Sequence, residues 1–138
     1  MKTLLRELSN LQGQLFKIGS QDPKVIQQAE ESLGISFGVE LWDYLLTLGA
    51  VAYKGVELTG VGVRDDSHLN IVHKTKLVRD QWGIPEEYVV IEDLGDGLFE
   101  LCNMNDRVFF IAEGGEIKDD QMSLNEYIIR RLHNEDIS

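Results

Sequence analysis

The chain has 138 residues, 43% of them hydrophobic, and a formal net charge of −11 at pH 7. That length suits one domain, residues 1–138, with a core of its own, and so acidic a chain is a poor ligand for a phosphate backbone, which disfavours direct nucleic-acid binding. The lone Cys102 cannot close an intramolecular disulfide. The opening MKTLLRELSNLQ lacks the apolar run of a signal peptide, and no stretch approaches the ~20 apolar residues of a membrane span, so a soluble cytoplasmic protein is expected.

Leu4, Leu5, Leu8, Leu11 and Leu15 recur at helical spacing and predict an N-terminal helix. Its leucine stripe can face the core or a second copy, so monomer and homodimer are both open. In SQDPKVIQQAEESLG, Asp22 or Ser20 caps a helix, Pro23 fits its first turn and Gly34 ends it. Val25, Ile26, Ala29 and Leu33 form its buried stripe. SFGVELWDYLLTLG predicts the next helix, with Leu41, Trp42, Leu45, Leu46 and Leu48 on its apolar face and Gly49 closing it. From Val51 to Val63 the chain reads as strand, with Gly55, Gly60 and Gly62 marking turns, a bulge or a closely approached backbone. RDDSH is a turn. A helix with Ile71, Val78 and Trp82 on one face follows, stopped by Gly83 and Pro85. YVVIE, LFELCN and RVFFIAE are strand-like, and DLGDG, MND and GGE punctuate them. SLNEYIIRRL opens with the capping box Ser123-x-x-Glu126 and has Leu124, Tyr127, Ile128 and Leu132 as its apolar face. This order predicts a single α+β domain: a mainly antiparallel (mixed) sheet flanked by N-terminal, central and C-terminal helices.

The charge is lopsided. Residues 1–85 hold 9 basic and 10 acidic side chains, whereas residues 86–138 hold 4 basic and 14 acidic. A basic protein partner is the natural complement, although acidity also serves plain solubility.

The densest chemistry lies in VVIEDLGDGLFELCN. An EF-hand alignment with Gly97 at the invariant glycine puts Leu94, which has no side-chain oxygen, at position 3 and Asn103, which cannot give the bidentate carboxylate, at position 12, which disfavours calcium of that kind. Gly95-x-Gly97 is half a dinucleotide fingerprint, but Glu100 stands where a small residue is required, and no helix follows. Glu92, Asp93, Asp96 and Glu100 include no pair marked as desolvated, so acid–base catalysis has no specific support. A hairpin turn explains the stretch: Asp96-Gly97 is a favoured hairpin dipeptide, and simple alternation puts Phe99 and Leu101 on one face, Leu98, Glu100 and Cys102 on the other. Elsewhere His68 and His73 do not share a helical face, and His68 beside Asp65 and Asp66 reads as a solvated turn rather than a cation site. Cys102 reads as a small core residue. No catalytic, cofactor-binding or metal-ligating residue is predicted, and a small hydrolase would require a pocket holding a perturbed carboxylate or an ordered metal.

Three stretches in this order resemble the SUKH superfamily. VIQQAEESLGISFGVELWDYLLTLGA is similar to its opening helix pair, with Glu30, Leu33, Gly34, Leu41, Tyr44, Leu45 and Gly49 on the pattern. VVIEDLGDGLFELCN resembles its central hairpin, and MSLNEYIIRRL its closing Ser-capped helix. The resemblance covers roughly residues 22–133. The chain departs from it at Phe37-Gly38, where the family often has Leu-Pro, and this predicts a looser entry to the second helix. The resemblance implies a binding module without shared catalytic residues. Many bacterial members are immunity proteins that neutralise a cognate toxin domain, often a nuclease, and some eukaryotic members are regulators or scaffolds. The partner expected from both lines is a basic toxin domain, with a non-toxin regulatory or scaffold role as the alternative. The expected partner-binding residues are Glu92, Asp93, Asp96 and Glu100, then Asp65 and Asp66, with Tyr53 and Tyr88 as candidate aromatic anchors.

Overall fold

The computed structural model describes Leu8, residues 15–112 and residues 115–133. The N-terminal leucine helix therefore lies outside the described residues, apart from Leu8, which is buried in the core, and Leu15, which packs against it.

Local capping chemistry starts each helix. In α1 (Pro23–Leu33) the Asp22 carboxylate accepts from Lys24 N at 2.9 Å, and the N–H of Gly34 closes the last turn on Glu30 O. Ile26, Ala29 and Leu33 are its buried face. α2 (Val39–Leu48) buries Leu41, Tyr44, Leu45 and Leu48, and Trp42 packs half-buried against the same core. The buried Tyr44 hydroxyl finds an acceptor in Thr59 O at 2.7 Å. α3 (Ile71–Trp82) is capped by Asn70, whose Oδ1 accepts from Val72 N and His73 N. α4 (Leu124–Leu132) is capped by Ser123 and buries Leu124, Tyr127, Ile128 and Leu132.

The strands form two antiparallel sheets. β1 (Phe16–Lys17), β2 (Val51–Tyr53) and β3 (Val56–Leu58) make the smaller one, in that order. β4 (Val89–Gly95), β5 (Leu98–Cys102), β6 (Arg107–Ile111) and β7 (Lys118–Ser123) make a four-stranded meander. Thr59 joins them: its N–H reaches Ile91 O at 2.9 Å and its hydroxyl reaches Val90 O at 2.7 Å. Val90 N in turn donates to Thr75 Oγ1 at 2.9 Å, so two threonines satisfy the outer edge of β4.

The strand predicted over Val51–Val63 stops at Leu58, because Gly60 bridges in parallel to Asn70 and draws the chain to the start of α3. β1 and β7 were not expected. β7 reads KDDQMS, with charges in place of a strand-like alternation, and it lies at the end of the sheet. Gln121 sits there at φ +59°, inside a break in the β6–β7 register.

The larger sheet separates two apolar clusters. One face meets α1, α2 and α4 through residues such as Ile91, Cys102, Leu45 and Ile128. The other packs Val90, Phe99, Leu101 and Ile111 against Val78 of α3 and Ile84. The alternation expected of β5 is thus the one observed.

Acidic side chains fasten these elements to one another. Asp106, in the β5–β6 turn, accepts from Glu40 N and Leu41 N, both at 3.0 Å, and so caps α2 from 65 residues away. Gly38 has no side chain to do this, and a Cβ there would collide with the Asp106 carboxylate. The entry to α2 is therefore tight, not loose. Glu30 Oε2 accepts from Phe37 N at 2.7 Å, Glu40 Oε1 from Asn125 N at 2.8 Å, and Asp106 O from Leu124 N at 2.8 Å. Replacing Asp106 by Ala leaves two helix N–H groups without their acceptor. We expect a loss of about 2 kcal/mol in urea denaturation, with a smaller loss for Asp106→Asn, which keeps one acceptor oxygen.

Candidate protein-interaction site

The β4–β5 hairpin turns at Asp96-Gly97, with φ of +55° and +77°, as a hairpin of this dipeptide requires. A register shift between Val90 and Glu92 then sets Glu92 directly opposite Glu100. Both point inward, at 3% and 6% exposure, so neither belongs to the acidic rim expected of this turn.

Glu92 is clamped from α4. Tyr127 and Arg131 lie one helical turn apart on the same face. Glu92 Oε1 accepts from Tyr127 Oη at 2.5 Å and from Arg131 Nε at 2.8 Å, and Oε2 accepts from Arg131 Nη2 at 2.5 Å. Burial and the charges of Glu92 and Glu100 push the Tyr127 phenol far above its usual range. The hydrogen bond to Glu92 holds the Arg131 guanidinium more firmly protonated than usual. Glu100 has a different solution. Burial, the hydrogen bond and charge of Asp120, and the charge of Glu92 push its carboxyl up to about 10 against the pull of Arg131. No donor reaches Glu100 Oε2 or Asp120 Oδ2, so a proton kept on Glu100 supplies the bond between the two groups.

This is a perturbed carboxyl, the feature a hydrolase would need, but it is sealed into the fold. The groove between α1 and α3, about 500 Å³, is lined by Gln28, Ser32, Asp65, His73 and Lys76 among others, and a second by Gln27, Glu31 and Met104. Neither reaches Glu100. Among the described residues no group of three His, Cys, Asp or Glu is placed to hold a metal ion.

The remaining predicted residues divide between surface and core. Asp93, Asp96, Asp65 and Asp66 are exposed. Burial would raise the Asp93 carboxyl, but the Gly95 N–H and the Lys74 ammonium at 3.0 Å outweigh it and hold the group below its ordinary value, with His68 contributing. On this side Asp66 pairs with Arg64 at 3.2 Å, and Glu57 is hydrogen-bonded to His68 at 3.2 Å. Tyr53 is a core residue at 6% exposure, with Lys54 Nζ 5.3 Å from its ring centre. Tyr88 is half-buried and meets Phe109 edge to face at 5.2 Å. Burial, then Glu87 and Asp119, raise its phenol. Trp82 was read from sequence only as part of a helix face, and Glu86, Glu87 and Asp119 were not singled out. The run Pro-Glu-Glu-Tyr at 85–88, directly after a helix stop, is the signal that marks most of this patch.

Two outcomes test the buried carboxyls. Glu92→Ala strands the Tyr127 hydroxyl and the Arg131 guanidinium. It should cost about 3 kcal/mol by urea denaturation, toward the lower end for a broken buried pair because Arg131 keeps some solvent contact. Glu100 titrates near 4.5 when unfolded and near 10 when folded. Its contribution is therefore fully present below pH ~4.5 and declines as pH rises toward ~10, by up to about 1.4 kcal/mol per pH unit. Glu100→Gln keeps a donor for Asp120 and removes that decline. The variant should melt above the wild type at pH 8 and level with it at pH 4.5.

A model of the family described as SUKH_5, SMI1-KNR4 cell-wall, matches residues 1–132. A solved structure of a protein from Pseudomonas syringae pv. tomato shares the fold, with a TM-score of 0.66 at 18% identity over 82% of this chain and 83% of that one. No curated protein matches the chain significantly. The family match over residues 1–132 places the chain in the SUKH superfamily, as a member of the SMI1-KNR4 cell-wall family SUKH_5.

Proposed function

We propose that the protein is an immunity-type binding protein that acts in the cytoplasm by covering the basic surface of a cognate toxin domain. A nuclease is the class whose cationic face fits best. Family membership supports a protein-interaction role. The observation that carries the reading is the surplus of exposed acid: Glu86, Glu87, Asp96 and Glu116 reach solvent and make no ion pair among the described residues. A toxin surface built to hold phosphates meets these carboxylates instead, and nucleic acid is excluded both sterically and electrostatically. Asp65, Asp66, Asp93 and Asp96 add to the long-range field on the hairpin side, where they steer the encounter rather than anchor the complex. No helix among the described residues is long and apolar enough to cross a membrane.

The test is calorimetry against the C-terminal domain encoded by the adjacent upstream gene, paired with rescue of cells expressing that domain. Tight binding with loss of toxicity is expected. Raising salt from about 0.05 to 0.5 M should slow association at least tenfold and leave dissociation nearly unchanged. Asp65→Lys with Asp96→Lys should slow association in the same way. Absence of binding between two folded proteins overturns the immunity role and leaves the scaffold role to be pursued.

A further inference from the structure

The partner-binding proposal leaves open which face of the molecule makes close contact. The hairpin side is an indifferent candidate. Glu92 and Glu100 are withdrawn into the fold, and Lys74 and Arg64 already pair with Asp93 and Asp66. The groove between α1 and α3 mixes Asp65 with His73 and Lys76 and selects no sign of charge.

The shoulder at the C-terminal end of α3 differs in three respects. First, its aromatic rings are incompletely covered. Trp82 meets Phe99 edge to face at 5.1 Å, Tyr88 meets Phe109 at 5.2 Å, and Trp82, Tyr88, Phe109 and Ile117 are only partly buried over the second core. Second, the loop crossing this shoulder is already held in shape. Arg79 Nη2 donates to Glu86 O at 2.8 Å while Arg79 Nη1 holds Leu33 O at 3.0 Å, and Tyr88 N turns back on Pro85 O at 3.2 Å. A preordered loop loses little entropy on binding. Third, the apolar centre is rimmed by uncompensated acid. Glu86 and Glu87 are exposed with no cation partner among the described residues, and Asp119 has only Arg107, at 3.5 Å.

We propose that this shoulder, the α3–β4 loop with the outer face of β6 and β7, is the docking surface, with Trp82 and Tyr88 as its anchors and Glu86 and Glu87 as its charged rim. The occupant is a protein face carrying lysines or arginines around an apolar side chain. Aromatic side chains within a polar rim are the composition in which binding energy concentrates, and the sign of the rim selects a basic partner. The inference rests on the immunity reading for the identity of the partner, but not for the location of the surface.

Two experiments separate those points. In the first, the isotope-labelled full chain is titrated with a hexa-arginine peptide. Backbone amide shifts should centre on residues 86–88 and 117–119 and vanish in the double variant Glu86→Lys, Glu87→Lys. Shifts centred on residues 64–68 and 93–97, or no localised shifts, overturn the surface. In the second, binding to the upstream-encoded domain is compared among variants. The same double variant should weaken it at least 30-fold. Tyr88→Ala, with folding verified by circular dichroism, should speed dissociation at least tenfold. Asp65→Lys with Asp96→Lys should alter association alone. Wild-type binding that survives the shoulder variants intact overturns this surface and leaves the immunity reading in place. A shoulder mapped by the peptide, with no binding to the upstream domain, removes the immunity reading and keeps the surface.

Discussion

The clamp of Tyr127 and Arg131 on Glu92 decides how α4 lies on the sheet. A buried carboxylate is tolerable only when both oxygens are occupied, and here three donors from one helix occupy them. Because the donors sit one turn apart, sliding the helix by a residue would leave a charge stranded. The other end of α4 is fixed just as firmly, where Leu124 N meets Asp106 O and Asn125 N meets Glu40 Oε1. Glu40 begins α2, and Asp106 caps it. The closing helix, the second helix and the β5–β6 turn are therefore positioned by one set of carboxylates and carbonyls.

That architecture changes the meaning of the acidic composition. Residues 86–138 hold 14 acidic side chains, yet Glu92, Glu100 and Asp106 are buried acceptors or proton-sharing groups rather than surface charge. The exposed remainder differs from place to place. Around the hairpin Asp93 and Asp66 meet nearby bases, and along the α3–β4 loop Glu86 and Glu87 make no ion pair among the described residues and lie near partly buried aromatic rings. A field that guides a partner and a surface that retains it need not coincide, and the proposed docking surface assigns them to different parts of the molecule.

The helices were legible because their signals are local. Asp22, Pro23 and Gly34 punctuate α1 within the range that sequence displays, and Ser123 does the same for α4. β7 was not legible, since pairing with β6 rather than propensity makes KDDQMS a strand. The strand expected to reach Val63 ended early because a bridge from Gly60 to Asn70 competes with further pairing. The placement of the acids failed in part for a similar reason. A bulge between Val90 and Glu92 sets which way Glu92 points, and no composition reveals it. Glu100 was more accessible to inference: strand alternation puts it on the face of Cys102, already read as core, so an inward acid seeking a partner follows. Likewise the spacing of Tyr127 and Arg131 placed a hydroxyl and a guanidinium beside the apolar stripe of the closing helix. Gly38 read as a weak helix start because its reason lies 68 positions downstream, in the carboxylate of Asp106.

β7 also bears on how the chain behaves in a crowded solution. A terminal strand exposes a row of unpaired backbone groups that another copy can extend, and a meander with such an edge is a template for fibre growth. Here the edge carries Lys118, Asp119 and Asp120 in succession and is then broken at Gln121, φ +59°. Approach of an identical edge would have to desolvate exposed charges on a bent, interrupted strand. The residues that make β7 hard to recognise as a strand are the same ones that discourage its extension by a second copy.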